Sequence, residues 1–378
     1  MLKNLTLLRQ TGSLLRGLPV LLFLVLLLAG PAGAQAPGIS PSVLREAGVR
    51  NFDDFWPVEV GPDGRTVYFW ETLKPANRPV GTFANLWQFR FASDGSLAGS
   101  RCYPLKMPRP LQACLTPDGR GVVLMAREGA SFWYMDLESG KLREFITPAL
   151  GRTRFVSDPR VLWTLGGKLW AVGYTLDSKQ VRGPHTVVEL HPERTGEECL
   201  VPSGLDVDQV LAHFKPWKVQ SWVSPELGWI GGMKDGALEM AVWQKSQGFT
   251  SLGRYRTLTS AWRNGTWQLF TAEALDGTSQ AVVYDAATHQ RWDLKPSEGS
   301  VYDYPFISED GGTLVLVEGP RQGARMKVLY GHRSTGFKLQ PLPGFESVQK
   351  GYVRLSKDGR VAVIRNQSGI FYVLVPRD

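Results

Sequence analysis

Only three of the 378 residues are cysteine and five are histidine. Cys102, Cys114 and Cys199 form no Cys-x-x-Cys pair. The histidines at 185, 191, 213, 289 and 332 never fall at ligand spacing. That excludes the common zinc motifs, and no metal or other cofactor is expected. Asp206-x-Asp208 lacks the glycine and terminal glutamate of a calcium loop and reads as a turn. There is no Gly-x-Ser-x-Gly elbow, which excludes a nucleophilic hydrolase of that design. No Pro/Gly/Ser-rich linker divides the chain, so one large domain is expected. Helical periodicity is scarce. Ser40-Pro41 before Leu44–Ala47 is the one segment with a capping residue and a first-turn proline.

One long apolar run does exist, at the start. Lys3, Arg9 and Arg16 precede and enter it, Leu18–Gly30 is apolar throughout, and Ala32-Gly33-Ala34 offers small residues for cleavage. Residues 1–34 read as a signal peptide, with a mature chain from Gln35. A membrane span needs about 20 apolar residues, so an uncleaved anchor is the lesser alternative. No stable span is expected after cleavage. No cysteine follows the run, which argues against lipid attachment there. Cleavage takes the net charge from +8 to about +5, mildly basic.

What is abundant is glycine in a repeated setting. Thr116–Ala126, TPDGRGVVLMA, reads as a strand end, a tight Asp-Gly turn and an apolar strand. Echoes are GPDGRTVYFW at Gly61, SEDGGTLVLVEG at Ser308 and SKDGRVAVIRN at Ser356. Weaker ones are LGGKLWAVGY at Leu165, LGWIGGM at Leu227 and RNGTWQLFTAE at Arg263. The glycines Gly64, Gly119, Gly167, Gly228, Gly265, Gly311 and Gly359 recur about every 49 residues, the period of a β-propeller. Seven turns predict an all-β fold, a single propeller of seven four-stranded blades. Gly228 is the weakest turn, and without it the count is six.

The strong copies resemble the TolB-type (WD40-like) propeller repeat, Ser-Pro-Asp-Gly-Lys/Arg before an apolar strand. The matching residues are Pro62, Asp63, Gly64 and Arg65; Pro117, Asp118, Gly119 and Arg120; and Ser356, Asp358, Gly359 and Arg360. The resemblance implies cell-envelope residence and protein–protein contact. That family has six blades and an extra N-terminal domain, and the main expectation here, seven blades in one domain, departs from it. The fold alone does not define an activity.

The propeller is expected over 58–378, with 35–57 available to close the ring. Blade seven has sequence for three strands, Tyr352–Leu355, Arg360–Ile364 and Ile370–Val375. Either the N-terminal segment supplies the fourth strand or the last blade has three. Thirteen Trp and 17 Phe suit wide blade-to-blade interfaces. Cys102 maps to an outer strand and Cys114 to the next inner strand. Buried free thiols are therefore expected rather than a disulfide.

For function the residues favour a non-enzymatic platform, periplasmic or secreted and monomeric. The alternative is a lactonase- or glycosidase-like hydrolase with a channel-mouth site, where Asp54, Glu71, Asp235, Glu273, Asp303 and Glu318 could converge. The interblade links and the long excursions Glu71–Asn85 and Thr175–His185 share one face, and they are basic. Candidate binding residues there are Lys74, Arg78, Lys106, Arg109, Arg152, Arg154, Lys179, Arg182, Lys215, Trp217, Lys218, Trp222, Arg254, Arg321 and Arg325. The opposite face collects Asp63, Asp118, Glu138, Glu197, Glu198, Asp310 and Asp358. The expected partner is an envelope protein or acidic ligand on the positive face. Export disfavours nucleic acid.

Overall fold

The computed structural model describes residues 38–53, 55–73, 83–108, 110–126, 132–145, 154–176, 179, 181–194, 196–212, 218–349 and 351–377. The leader expected over 1–34 lies outside the described residues, as does Asp54.

Each repeat folds as an antiparallel meander that runs from the axis outward. Blade one comprises Phe55–Val60, Thr66–Leu73, Phe83–Phe91 and Leu97–Pro108; blade two comprises Pro110–Leu115, Gly121–Ala126, Phe132–Asp136 and Leu142–Phe145. Blade three follows with Arg154–Leu165, Lys168–Leu176, Arg182–Leu190 and Leu200–Asp206. Blade four has Lys218–Val223, Leu227–Lys234 and Ala237–Gln244, completed by the first half of Gly248–Asn264. The second half of that 17-residue strand opens blade five, which continues through Trp267–Ala274, Ser279–Asp285 and Gln290–Leu294. Blade six holds Ser300–Ile307, Thr313–Pro320, Arg325–His332 and the two-residue strand Gln340–Pro341. Blade seven holds Tyr352–Leu355, Val361–Asn366 and Gly369–Leu374.

The shared strand explains why two blade counts coexist. Counted by continuous hydrogen bonding there are six sheets, one of them seven-stranded. Counted by radial units there are seven, and seven separate hydrophobic clusters lie between successive units around the ring. Gly253 at φ 115° and two register shifts, Tyr255/Thr257 and Leu258/Ser260, bend the shared strand between its two roles. The link expected around Arg254 and Arg256 is thus strand rather than loop. Gly228 lies within a strand, not a turn. The turn of blade four sits just before it, where Ser224 Oγ and the Leu227 backbone bond each other at 2.9 and 3.0 Å.

Ring closure uses the N-terminal segment. Gly38–Ile39 pairs antiparallel with the last strand, Gly38 opposite Phe371 and Ile39 opposite Ile370. The helix Pro41–Glu46 follows, with Ser40 as its N-cap and a proline in its first turn. A second helix, Val207–Leu211, occupies the segment expected to be a turn at Asp206-x-Asp208. Asp206 caps it by accepting the Asp208 N–H at 2.9 Å.

Gly121–Ala126 is apolar at consecutive positions because both its faces are covered. Val122 and Leu124 pack toward blade one, Val123 and Met125 toward blade three. All three cysteines are free thiols. Burial pushes the Cys102 thiol up to about 11 and that of Cys114 higher still.

Candidate functional site

The inner strand of every blade has one edge facing the central channel. Four of these strands carry a proline that coincides with a register shift: Pro57, Pro110, Pro159 and Pro305. Proline donates no N–H, so it is tolerated only where a ladder bond is missing, and a bulge there re-aims its neighbours. The consequence is largest in blade six. Between Asp303 and Phe306 the register slips, Tyr304 adopts φ 47°, and its N–H donates to Asp303 Oδ1 at 2.8 Å. The Tyr304 ring then meets Tyr352 of blade seven edge-on at 5.2 Å, and Tyr352 meets Trp56 of blade one at 4.3 Å.

Next to these rings lies Arg354, on the inner strand of blade seven. Its guanidinium carbon is 4.7 Å from the Phe306 ring centroid of blade six and 5.2 Å from that of Trp262 in blade five. Its Nε donates to the carbonyls of Pro57 and Val58 in blade one, at 3.3 and 3.1 Å. One side chain thereby joins four blades across the axis. Glu59 is the nearby carboxylate. Its Oε2 accepts the Leu115 N–H of blade two at 2.9 Å, and its Oε1 is 3.6 Å from Lys357 Nζ. Burial brings the Arg354 guanidinium down to about 10, opposed by the charges of Glu59 and Tyr304. Burial also raises the Glu59 carboxyl, opposed by Lys357, the Leu115 N–H and Arg354, and it raises the Tyr304 phenol. The region is half-buried, aromatic and cationic.

A small, partly open pocket lies toward the turn end of the ring, between blades three, four and five. Trp163, Leu227, Trp229 and Arg263 are among its walls, and Arg263 stacks over the Trp163 ring at 4.8 Å.

Of the carboxylates expected at the channel mouth, Asp54 lies outside the described residues, and Glu71, Glu273, Asp303 and Glu318 each have a local task. Glu71 is fully buried; it accepts N–H bonds from Arg50 and Asn51, and from Asn85 Nδ2 and Trp87 Nε1, fixing the segment that enters blade one. Glu273 pairs with Arg256 at 3.1 Å and Arg321 at 2.9 Å, and Glu318 with Lys327 at 3.1 Å. Asp303 supports the bulge. Asp235 sits in the hairpin turn after Leu227–Lys234, at φ 49°. Among the described residues no three His, Cys, Asp or Glu gather as a metal would need.

Of the candidate binding residues, Lys74, Arg78, Arg109, Arg152, Lys215 and Trp217 lie outside the described residues. The backbones of Lys106, Arg154, Arg182, Lys218 and Trp222 are in strands rather than loops. Lys179 is exposed in a turn. Arg254 donates to the carbonyls of Lys234 and Asp235 at 3.2 and 3.0 Å, Arg321 to that of Gly277 at 3.1 Å, and Arg325 to Ser347 Oγ at 3.2 Å. All three keep exposed guanidinium surface while stitching link-side loops together. On the opposite face Asp63, Asp118 and Asp358 are exposed beside Arg65, Arg120 and Arg360, so any contrast between the faces rests on the link side. Arg354, Tyr304, Tyr352 and Trp56 were not legible as a group. The available signal was an arginine alternating with apolar residues, Tyr352-Val353-Arg354-Leu355, in an inner strand.

These features define a β-propeller in which two inner-strand arginines, Arg354 and Arg263, reach rings of non-adjacent blades. Solved structures agree on the fold. The β-propeller domain of the Trilobed protease from Pyrococcus furiosus superposes with TM-score 0.51 at 10% identity, over 83% of this chain and 90% of that one. Oligogalacturonate lyase from Vibrio parahaemolyticus gives 0.50 at 10% identity, over 86% and 92%. Acylaminoacyl peptidase from Pyrococcus horikoshii gives 0.53 at 10% identity, over 85% of this chain and 51% of that one. No family model and no curated protein sequence matches the chain. Among the described residues no helix is long and apolar enough to cross a membrane.

Proposed function

We propose that this chain is an exported, non-catalytic propeller that holds an acidic partner on the face carrying its interblade links. The observation that carries the reading is the position of Arg354. A propeller enzyme gathers reacting groups around its channel. Here that place holds a guanidinium packed between Phe306 and Trp262 and tied to blade one. The described carboxylates nearby are committed to backbone or to neighbouring cations. The partner's acidity is supported by exposed Arg254, Arg256, Arg321 and Arg325 on blades four to six. Envelope residence rests on the leader-like start and on the TolB-type turns. Exposed guanidinium groups steer an acidic partner with marked salt dependence.

The test is capture by the immobilised chain from Gln35 out of its own envelope fraction. The variant Arg254→Glu with Arg325→Glu is compared with Arg65→Glu with Arg120→Glu on the other face. The link-face pair should lose the captured protein at least about tenfold, and the turn-face pair should keep it. Turnover of an oligogalacturonide, a sugar lactone or an aminoacyl ester by the purified chain, abolished in Arg354→Met, would instead make it an enzyme.

A further inference from the structure

We propose that the channel beside Arg354 is a binding site for one carboxylate group, seated on the guanidinium and flanked by Tyr304 and Tyr352. This goes beyond the platform reading and does not depend on which face holds a protein partner. Arginine carries five N–H donors in a fixed fork. Arg354 uses Nε on the Pro57 and Val58 carbonyls, and its Nη1 and Nη2 have no acceptor among the described residues. Arg354 is only half-buried, so these donors stay reachable from solvent, and an oxyanion that takes both nitrogens of the fork is their natural complement.

Charge selects the kind of anion. Lys357 stands 3.6 Å from Glu59, so this carboxylate already has a cation. Arg354 is the positive charge left over in the group of three. Arg365, whose guanidinium lies 5.8 Å from the Tyr352 ring centroid, is balanced by Asp303 beside Tyr304. The single charge that remains matches a monoanion rather than a doubly charged phosphate. Shape adds to the argument. Tyr304 is held at φ 47° by the bulge, an uncommon and costly conformation for a tyrosine, and the result is that its phenol lies against Tyr352. The Trp56 ring continues this wall. An aromatic wall beside a guanidinium fork suits a carboxylate borne on an apolar or ring-shaped body. Its source is either a free small acid or the terminal carboxylate of a peptide.

The test follows tryptophan fluorescence and thermal shift of the full folded chain. The probes are sodium benzoate, sodium acetate, sodium phosphate, and one short peptide with a free or an amidated C-terminus. Benzoate or the free-acid peptide should bind saturably, and the amidated peptide should not. Which of the two binds more tightly assigns the source. Tyr304→Phe with Tyr352→Phe, which removes only two hydroxyls, should weaken binding at least about fivefold, and Arg354→Lys at least about tenfold, with circular dichroism unchanged. Phosphate binding more tightly than every carboxylate overturns the monoanion assignment. No saturable carboxylate binding, or binding indifferent to the tyrosine pair, overturns the site.

Discussion

Arg354 and Trp262 touch across the propeller axis, 5.2 Å from guanidinium carbon to ring centroid, although their strands belong to blades seven and five. Blade six, which lies between them, contributes Phe306 to the same guanidinium. Arg354→Met keeps much of the volume but removes two cation–π contacts and the bonds to Pro57 and Val58. A loss of about 2–4 kcal/mol is expected. Chemical denaturation measures it; a midpoint equal to wild type would show that the channel does not need its arginine.

The turn glycines differ in what surrounds them. Gly311 has φ 67°, and a Cβ there would come 1.9 Å from Trp267 Cε2 in the preceding blade. Gly64 has φ 65° with open space around it. Gly64→Ala should cost about 1 kcal/mol, from the backbone alone. Gly311→Ala should cost about 3 kcal/mol or more, because Trp267 must move. Equal melting temperatures for the two variants would refute the interlocking of blades through their turns.

Closure of the ring rests on two residues of strand. Ile39 is buried in the cluster between blades seven and one and pairs with Ile370. Ile39→Lys should cost about 3 kcal/mol by placing an ammonium in an apolar interface. It should also free the edge of Gly369–Leu374 and promote association. Light scattering and melting together check this, and a monomeric variant of unchanged stability would argue that closure lies elsewhere.

Alkaline pH should unfold the protein before it ionises its buried tyrosines. Burial raises the Tyr68 phenol to about 12 and also raises Tyr302 and Tyr304. An unfolded phenol titrates near 10. Between those values the unfolded chain has released protons that the folded one keeps, so stability is full below pH about 10 and falls as pH approaches 12. Arg354 and Arg263 work in the opposite sense, since burial depresses their folded values, but Tyr103, Tyr255 and Tyr372 are raised as well and add to the three. Tyrosinate absorbance should rise together with the loss of circular dichroism. Ionisation of all the tyrosines at pH 11 in a still-folded chain would contradict the burial.

The all-β propeller was legible because its information is local. An Asp-Gly turn needs a carboxylate that accepts its own backbone N–H groups and a residue free to take positive φ. Both can be read at Asp118 and Gly119, where Asp118 Oδ1 accepts the Arg120 N–H at 3.0 Å and Gly119 has φ 69°. The three expected strands of blade seven fell within two residues of their observed ends for the same reason. The shared strand Gly248–Asn264 was not legible, because whether a link is loop or strand depends on how closely two blades approach. The second helix was missed because an aspartate that caps a short helix looks like one that holds a turn.

The channel group marks the boundary between the two kinds of information. The chain by itself determined the repeat, the turn chemistry and the two-sided burial of each second strand, all set by residues within a few positions of one another. Only the closed ring brought Trp56, Trp262, Tyr304, Phe306 and Arg354 together. Their separations in sequence reach almost 300 residues, and the register of each inner strand, shifted by a proline or bulge in blades one to six, decides which side chain faces the axis. A one-residue slip in any of them turns that side chain into a blade interface instead. No local pattern encodes that outcome, because it is the geometry of closure that selects it.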